Sequence, residues 1–200
     1  MSEPTVHIVD DDGAIRDALS WLFRSRGLPP LAWPSGEAFL AGFSDADRGC
    51  LVLDVRMEGM SGIAVYDELL ARGCPIPVIF LTGHGDVPLA VAALKRGAFD
   101  FFEKPFNDNQ LVDRVIEAMR SDELRRHELE RGASMAARLA GLTPREREVM
   151  QHVLSGEPNK AIADALDITV RTVEVHRARV FEKMGVSSAV ELGVLVGHRR

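Results

Sequence analysis

Cysteine is scarce in this chain and long apolar runs are missing. Cys50 and Cys74 are its two cysteines in 200 residues. Two thiols build neither a disulfide framework nor a zinc cluster. No apolar run approaches the roughly 18–20 residues that span a bilayer, so no membrane partner is expected. The first residues, MSEPTVHIVDDD, lack a basic segment leading into an apolar core, so no secretory signal is expected either. A reduced, cytoplasmic protein is the resulting expectation. Hydrophobic residues make up 46% and charged residues 27% of the chain. That is the composition of ordinary globular domains and excludes a disordered, collagenous or low-complexity chain. The length leaves room for two small domains.

Net charge is −6, unevenly spread. Residues 1–120 hold 11 Lys and Arg against 18 Asp and Glu. Residues 121–141 hold 4 of each kind, and residues 142–200 hold 9 basic and 8 acidic. An acidic front half makes a poor nucleic-acid surface. Any DNA binding by the back half must come from local clustering of charge.

The front half alternates short apolar runs with amphipathic stretches. Strands are predicted over Thr5–Val9, Leu31–Trp33, Cys50–Leu53, Val78–Leu81 and Phe99–Phe102. Helices are predicted over Ala14–Arg26, Ser35–Phe43, Ile63–Arg72, Val87–Arg96 and Asn107–Met119. Asn107 and Gln110 are spaced like a capping box. Such strand–helix repetition predicts an α/β fold, a doubly wound five-stranded parallel sheet, whose sites lie at the carboxyl ends of strands. Residues 121–141 then form a charged, Ala-rich linker, read as a helical continuation, with Gly132 and Ser134 marking where a flexible tether would break.

The third piece, residues 142–200, reads as all helix. Thr143, Pro144 and Glu146 make a start signal of cap, first-turn proline and reciprocal acid. That helix stops near Gly156. A second begins at Asn159, a turn covers Asp167–Thr169, a third spans Val170–Met184, and a fourth runs from Ser188 to about Gly197. Two helices joined by a tight turn, the second carrying basic residues, form the helix-turn-helix pattern.

The predicted strand ends carry the chemistry. Asp10, Asp11 and Asp12 follow the first strand, Asp54 the third, Thr82 the fourth, and Lys104 with Pro105 the fifth. In a parallel sheet these ends share one edge. Carboxylates gathered there repel one another, and a hard divalent cation such as Mg2+ relieves that repulsion. Lys104 adds a positive charge and Thr82 a hydroxyl. The set suits an aspartate that accepts a phosphoryl group. Asp12 alone reads as a helix cap, His7 as structural and His84 as a surface residue.

This pattern resembles the receiver domain of two-component response regulators over residues 5–119. HIVDDD, LVLDVRMEGMSG, FLTGHGDVPLAV and FFEKPF carry the resemblance, and the last two point toward the FixJ-like subgroup. It implies that Asp54 is the phosphoryl acceptor, that Asp11, Asp54 and the main-chain carbonyl of Arg56 bind Mg2+ directly, and that Asp10 acts through water. It implies that Lys104 pairs with the phosphoryl group, that Thr82 hydrogen-bonds it, that Phe101 is an aromatic switch, and that the Lys104–Pro105 bond is cis. The family usually has proline four residues after the acceptor. Here that residue is Glu58, which bears on how long the phosphoryl group persists.

Along Val170–Met184, Val173, Val180 and Met184 share one face, with Arg171, Val175, Ala178 and Glu182 opposite. The blocks LTPREREVM, NKAIADAL, TVEVH and EKMGV resemble the LuxR/GerE-type helix-turn-helix of the NarL/FixJ class. The resemblance makes Lys160, Thr172 and Lys183 candidate phosphate contacts. It puts Glu174, Val175, Arg177 and Ala178 at or beside base-reading positions, with Arg171 and Arg179 on the DNA side. Relatives often carry lysine where this chain has Glu174 and Ala178, which implies a different target sequence. Glu suits cytosine N4, Arg guanine and Val the thymine methyl. His176 reads as a packing residue and Glu182 as a solvated charge. The apolar residues of the fourth helix exceed one face and read as core plus a dimer surface.

The expected function is a phosphorylation-dependent, DNA-binding transcriptional regulator rather than an enzyme. Its expected partners are a sensor histidine kinase, double-stranded promoter DNA, RNA polymerase and a second copy of itself; no organic cofactor is expected. Two rivals stand beside it. Aspartyl-phosphate hydrolases commonly place a second acid two residues after the nucleophile, where this chain has Arg56. A module that pairs without phosphate is the other, suggested by Glu58.

Overall fold

The five apolar runs pair into one parallel sheet of strands β1 (Thr5–Val9), β2 (Pro30–Trp33), β3 (Gly49–Asp54), β4 (Val78–Thr82) and β5 (Asp100–Glu103), ordered β2-β1-β3-β4-β5. The computed structural model describes residues 3–44, 47–83 and 87–197. By contacts the chain divides into two units, Met1–His127 and Glu128–Arg200.

In the first unit the inner strands β3 and β4 are buried on both faces, which is why they read as unbroken apolar runs. Successive side chains of a strand point to opposite faces. Leu51, Leu53 and Phe80 join a core with Phe39, Val65 and Leu69, from α2 (Gly36–Gly42) and α3 (Gly62–Ala71). Cys50, Val52, Ile79 and Leu81 face the other way, onto Leu19, Leu22 and Phe23 of α1 (Gly13–Ser25) and Leu111 and Val115 of α5 (Asp108–Ala140). Helix α4 spans Val87–Lys95.

Several predicted ends move by a residue or two because caps and ladders set them. Asp12 Oδ1 accepts the Ala14 amide and caps α1. Ser35 Oγ accepts the Ala38 amide, so it caps α2 rather than starting it. Asn107 Oδ1 accepts the amides of Asn109 and Gln110, so α5 starts one residue later than predicted. β3 extends through Asp54, which pairs with Leu81. β5 is shifted to Asp100–Glu103 because its register starts with Ile79 opposite Asp100.

Helix α5 continues through Gly132 and Ser134 to Ala140. A helical glycine costs about 1 kcal/mol relative to alanine, which the Ala-, Arg- and Glu-rich neighbours offset. Within the first unit, α5 is tied to the far end of the sheet by Asp122, which is 2% exposed. Its Oδ2 accepts the Gly49 amide at 3.1 Å and Arg126 Nε at 2.9 Å, and Arg125 pairs with Oδ1.

The second unit packs α6 (Pro144–Leu154), α7 (Asn159–Leu166), α8 (Val170–Met184) and α9 (Ala189–Gly197) around Val149, Ile162, Val173, Val180, Met184 and Leu192. Met135 and Leu139, from the last turns of α5, pack on this cluster. The capping box is complete. Thr143 and Glu146 each accept the other's backbone amide. Asp167 takes the left-handed conformation, φ 52°, that turns α7 toward α8. In α9, Leu192 is buried, while Val190 is exposed. Among the described residues no helix is long and apolar enough to cross a membrane.

Candidate functional site

The strand order reverses between β1 and β3, and in an open parallel sheet ligands bind outside the carboxyl ends at such a point. Asp10 follows β1 there, and Asp54 closes β3. Both are buried, at 1% and 6% exposed. Lys104, just past β5, sends its ammonium between them. Nζ lies 2.5 Å from Asp54 Oδ1 and 3.0 Å from Asp10 Oδ2. The Lys104–Pro105 peptide is cis. The second oxygen of Asp54 accepts the Arg56 amide at 2.8 Å.

Burial pushes the Asp54 carboxyl above its ordinary range, against the opposing hydrogen bond and charge of Lys104. Burial alone lowers the Lys104 ammonium, but its hydrogen bonds to Asp54 and Asp10 outweigh that and raise it. The site therefore sets two buried acidic side chains against one ammonium in a poorly hydrated place.

Asp11 lies apart from the pair. It is exposed, and its Oδ2 accepts the Glu58 amide at 2.8 Å. Among the described residues no three His, Cys, Asp or Glu side chains close into a metal cage. Mg2+ asks for less, since one or two carboxylates with water suffice. Asp10 and Asp54, converging on one ammonium, fit that demand.

Thr82 ends β4, fully buried, with its hydroxyl donating to the Gly83 carbonyl at 3.2 Å. Phe101 is half-buried in β5 opposite Phe80 and packs on the core beneath α3 and α4. Glu58 is exposed. His7 is buried, its Nδ1 accepting from Trp33 Nε1, and burial lowers its pKa. His84 lies outside the described residues.

One residue that sequence reasoning passed over is Gly62. A Cβ there would stand 2.0 Å from the Asp54 carbonyl oxygen. Helix α3 thus starts against the backbone of the acidic residue itself. The sequence signal was a glycine directly after Ser61, whose Oγ accepts the Ala64 amide and caps α3.

The second unit presents a separate surface. On α8, Arg171, Glu174, Val175, Ala178 and Arg179 are exposed, as is Lys160 on α7. Thr172 is half-buried, its hydroxyl 2.8 Å from that of the cap Thr169. Arg177 is half-buried and lies over the Phe181 ring, 5.5 Å from its centroid. Half-buried His176 has its Nδ1 shut from water, with no hydrogen-bond partner among the described residues. Glu182 is exposed. Lys183 is engaged inside the unit, 2.7 Å from Glu146 Oε2 and 3.1 Å from the Gly141 carbonyl. That hydrogen bond and the capping amide of Thr143 hold Glu146 down to about 2.

Comparison with known proteins gives a family for each part of the chain. Residues 6–116 match the response regulator receiver domain, and residues 140–196 match the luxR family of bacterial regulatory proteins. The chain is 55% identical over 190 residues to the C4-dicarboxylate transport transcriptional regulatory protein DctR of Rhodobacter capsulatus, covering 94% of this chain and 96% of that one. It is 48% identical over 188 residues to the transcriptional regulatory protein FixJ of Azorhizobium caulinodans, covering 94% and 89%. The solved structure of the response regulator StyR superposes with a TM-score of 0.92 at 38% identity, covering 98% of this chain and all of that one.

Proposed function

This chain belongs to the response regulators that join a receiver domain to a LuxR-family DNA-binding domain, and on that premise we propose that Asp54 is the residue whose phosphorylation controls DNA binding. The observation that carries the assignment is the Lys104 ammonium held between Asp54 and Asp10. A sensor histidine kinase donates the phosphoryl group from its phosphohistidine. An Asp54 carboxylate oxygen forms the new bond to phosphorus, the bond to the imidazole nitrogen breaks, and the imidazole leaves. Lys104 offsets charge on the transferring group. Asp10, Asp11, Asp54 and the Arg56 carbonyl would hold Mg2+, which supplies further charge neutralisation at the phosphoryl oxygens. Asp11 gives up the Glu58 amide to take part.

The buried Thr82 hydroxyl leaves the Gly83 carbonyl for a phosphoryl oxygen, and Phe101 follows inward. The surface of α4 and β5 then favours pairing of two receivers, a shift between two states whose extent is set by their differential stability. Two output units engage promoter DNA together. Arg171, Glu174, Val175, Arg177, Ala178 and Arg179 of α8 face the major groove, and Lys160, Thr172 and the remaining N–H of Lys183 reach phosphates. RNA polymerase is the downstream partner, and the cytoplasm the place of action. The chain works as a switch and turns over no external substrate. The receiver domain is taken as residues 1–120 and the DNA-binding domain as residues 142–200, with 121–141 as a helical linker.

Sedimentation velocity of the full chain with magnesium, before and after beryllofluoride, tests this reading. Monomer becoming dimer in the wild type but not in Asp54→Asn is the expected result. A wild type that stays monomeric with its site occupied refutes phosphorylation-driven pairing.

A further inference from the structure

The segment between β3 and α3 follows directly on Asp54, and its backbone amides face carboxylates at alternate residues. Arg56 N–H donates to Asp54, Glu58 N–H to Asp11 and Met60 N–H to Glu37 Oε1, each at 2.8 Å. The first two acceptors belong to the phosphoryl and metal site proposed above. The third lies outside it, in the first turn of α2.

We infer that Glu37 is a positioning residue for the phosphoryl site, anchoring the far end of the loop that carries Arg56 and Glu58. This rests on the assignment of Asp11 and Asp54 to the metal site. When Asp11 turns to a cation, the Glu58 amide loses its acceptor. Asp54 still accepts the Arg56 amide at the near end, and Glu37 holds the far end through the Met60 amide, so Glu37 helps to fix where the Arg56 carbonyl between them stands. The contact is close. Gly59 has φ 77°, and a Cβ there would come 2.8 Å from Glu37 Oε1. Hydrogen bonds from its own amide, from Ser35 and from Met60 hold the Glu37 carboxyl below its ordinary range, so the strong acceptor persists at neutral pH.

An acid in the first turn of a helix also favours that helix through its charge. Glutamine separates the two roles, because it keeps an acceptor oxygen and loses the charge. The test is magnesium affinity of the full-length wild type, Glu37→Ala, Glu37→Gln and Asp54→Asn by isothermal titration, with hydrogen exchange at the Glu58 and Met60 amides. Partners behind a metal's ligands are worth roughly 10–100-fold in affinity, and an anchor acting through a loop belongs at the low end. Glu37→Ala is expected to bind magnesium about tenfold more weakly, with the Met60 amide exchanging freely. Glu37→Gln is expected to bind close to wild type. In the wild type, magnesium speeds exchange at Glu58 and leaves Met60 protected. Unchanged affinity in Glu37→Ala, while Asp54→Asn loses binding, overturns the inference and leaves the metal site standing. Weakening in Glu37→Gln equal to that in Glu37→Ala also overturns it, in favour of the helix charge. Magnesium binding untouched by Asp54→Asn overturns the metal site and the anchor together.

Discussion

Asp54→Asn takes up no phosphoryl group from acetyl phosphate, while the wild type gains the mass of one on Asp54. Asparagine matches the shape of aspartate, and its carbonyl oxygen can still accept the Arg56 amide. It offers no anionic oxygen to phosphorus, and the Lys104 ammonium keeps Asp10 alone as its anionic partner. The loss is complete because the group that forms the bond is gone. Stability moves the other way. Burial raises the folded-state pKa of Asp54 above its unfolded value. The stability linked to that shift is present below the unfolded pKa and is lost as pH rises through the folded one, so at pH 7 the carboxylate is a cost to the fold. Asp54→Asn therefore melts at or above the wild-type temperature at pH 7. Mass spectrometry of the intact chain and its peptides reads the first result, and thermal unfolding the second. A phosphoryl group appearing on the variant removes Asp54 from its role.

Gly62→Ala disables the same site through its backbone. The added carbon would lie 2.0 Å from the Asp54 carbonyl oxygen, 3.0 Å from its carbon and 3.1 Å from Leu53 Cγ. Neither the end of β3 nor the start of α3 can yield locally, since the Gly62 amide donates to the Val55 carbonyl at 3.0 Å. Overpacking of this kind costs about 3 kcal/mol, at the upper end of the usual range. A displacement of about 1 Å at a reacting group can cost roughly 100-fold in rate. Phosphoryl uptake should fall by about that factor in the fraction that stays folded. Gly132→Ala is the control. Nothing lies within 4 Å of a Cβ at that position, so the replacement should stabilise α5 by up to about 1 kcal/mol. Equal unfolding midpoints and equal uptake rates for Gly62→Ala and wild type would show that α3 does not press on Asp54.

Local signals in the sequence sufficed for the sheet and for the strand-end residues. A strand buried on both faces shows itself as an unbroken apolar run, as in β3 and β4. A cap shows itself as a polar residue just before an apolar period, as with Asp12 and Thr143. The inward face of α8 followed from helical spacing, and Val173, Val180 and Met184 are each fully buried. Contacts made across the fold left no such mark. Asp122 sits among alternating charges that look solvated, yet it is buried against Gly49 and two arginines. Lys183 reads as a candidate phosphate contact on a basic helix, and spacing gave no sign that it also pairs with Glu146, which it does because the capping box that starts α6 lies beside the end of α8. Glu37 and Gly62 owe their importance to backbone atoms of another segment. Their positions follow from the packing of α2 and α3, which spacing alone does not give.

On the reading proposed above, the state of Asp54 governs DNA binding by the second unit. Selection of bound sequences from a randomised duplex pool by the full chain, with and without beryllofluoride in the presence of magnesium, tests it most directly. The loaded protein is expected to enrich paired half-sites centred about 10 bp apart, and Asp54→Asn to enrich none of them under either condition. Equal enrichment of the same sequences by the wild type in both states would contradict it.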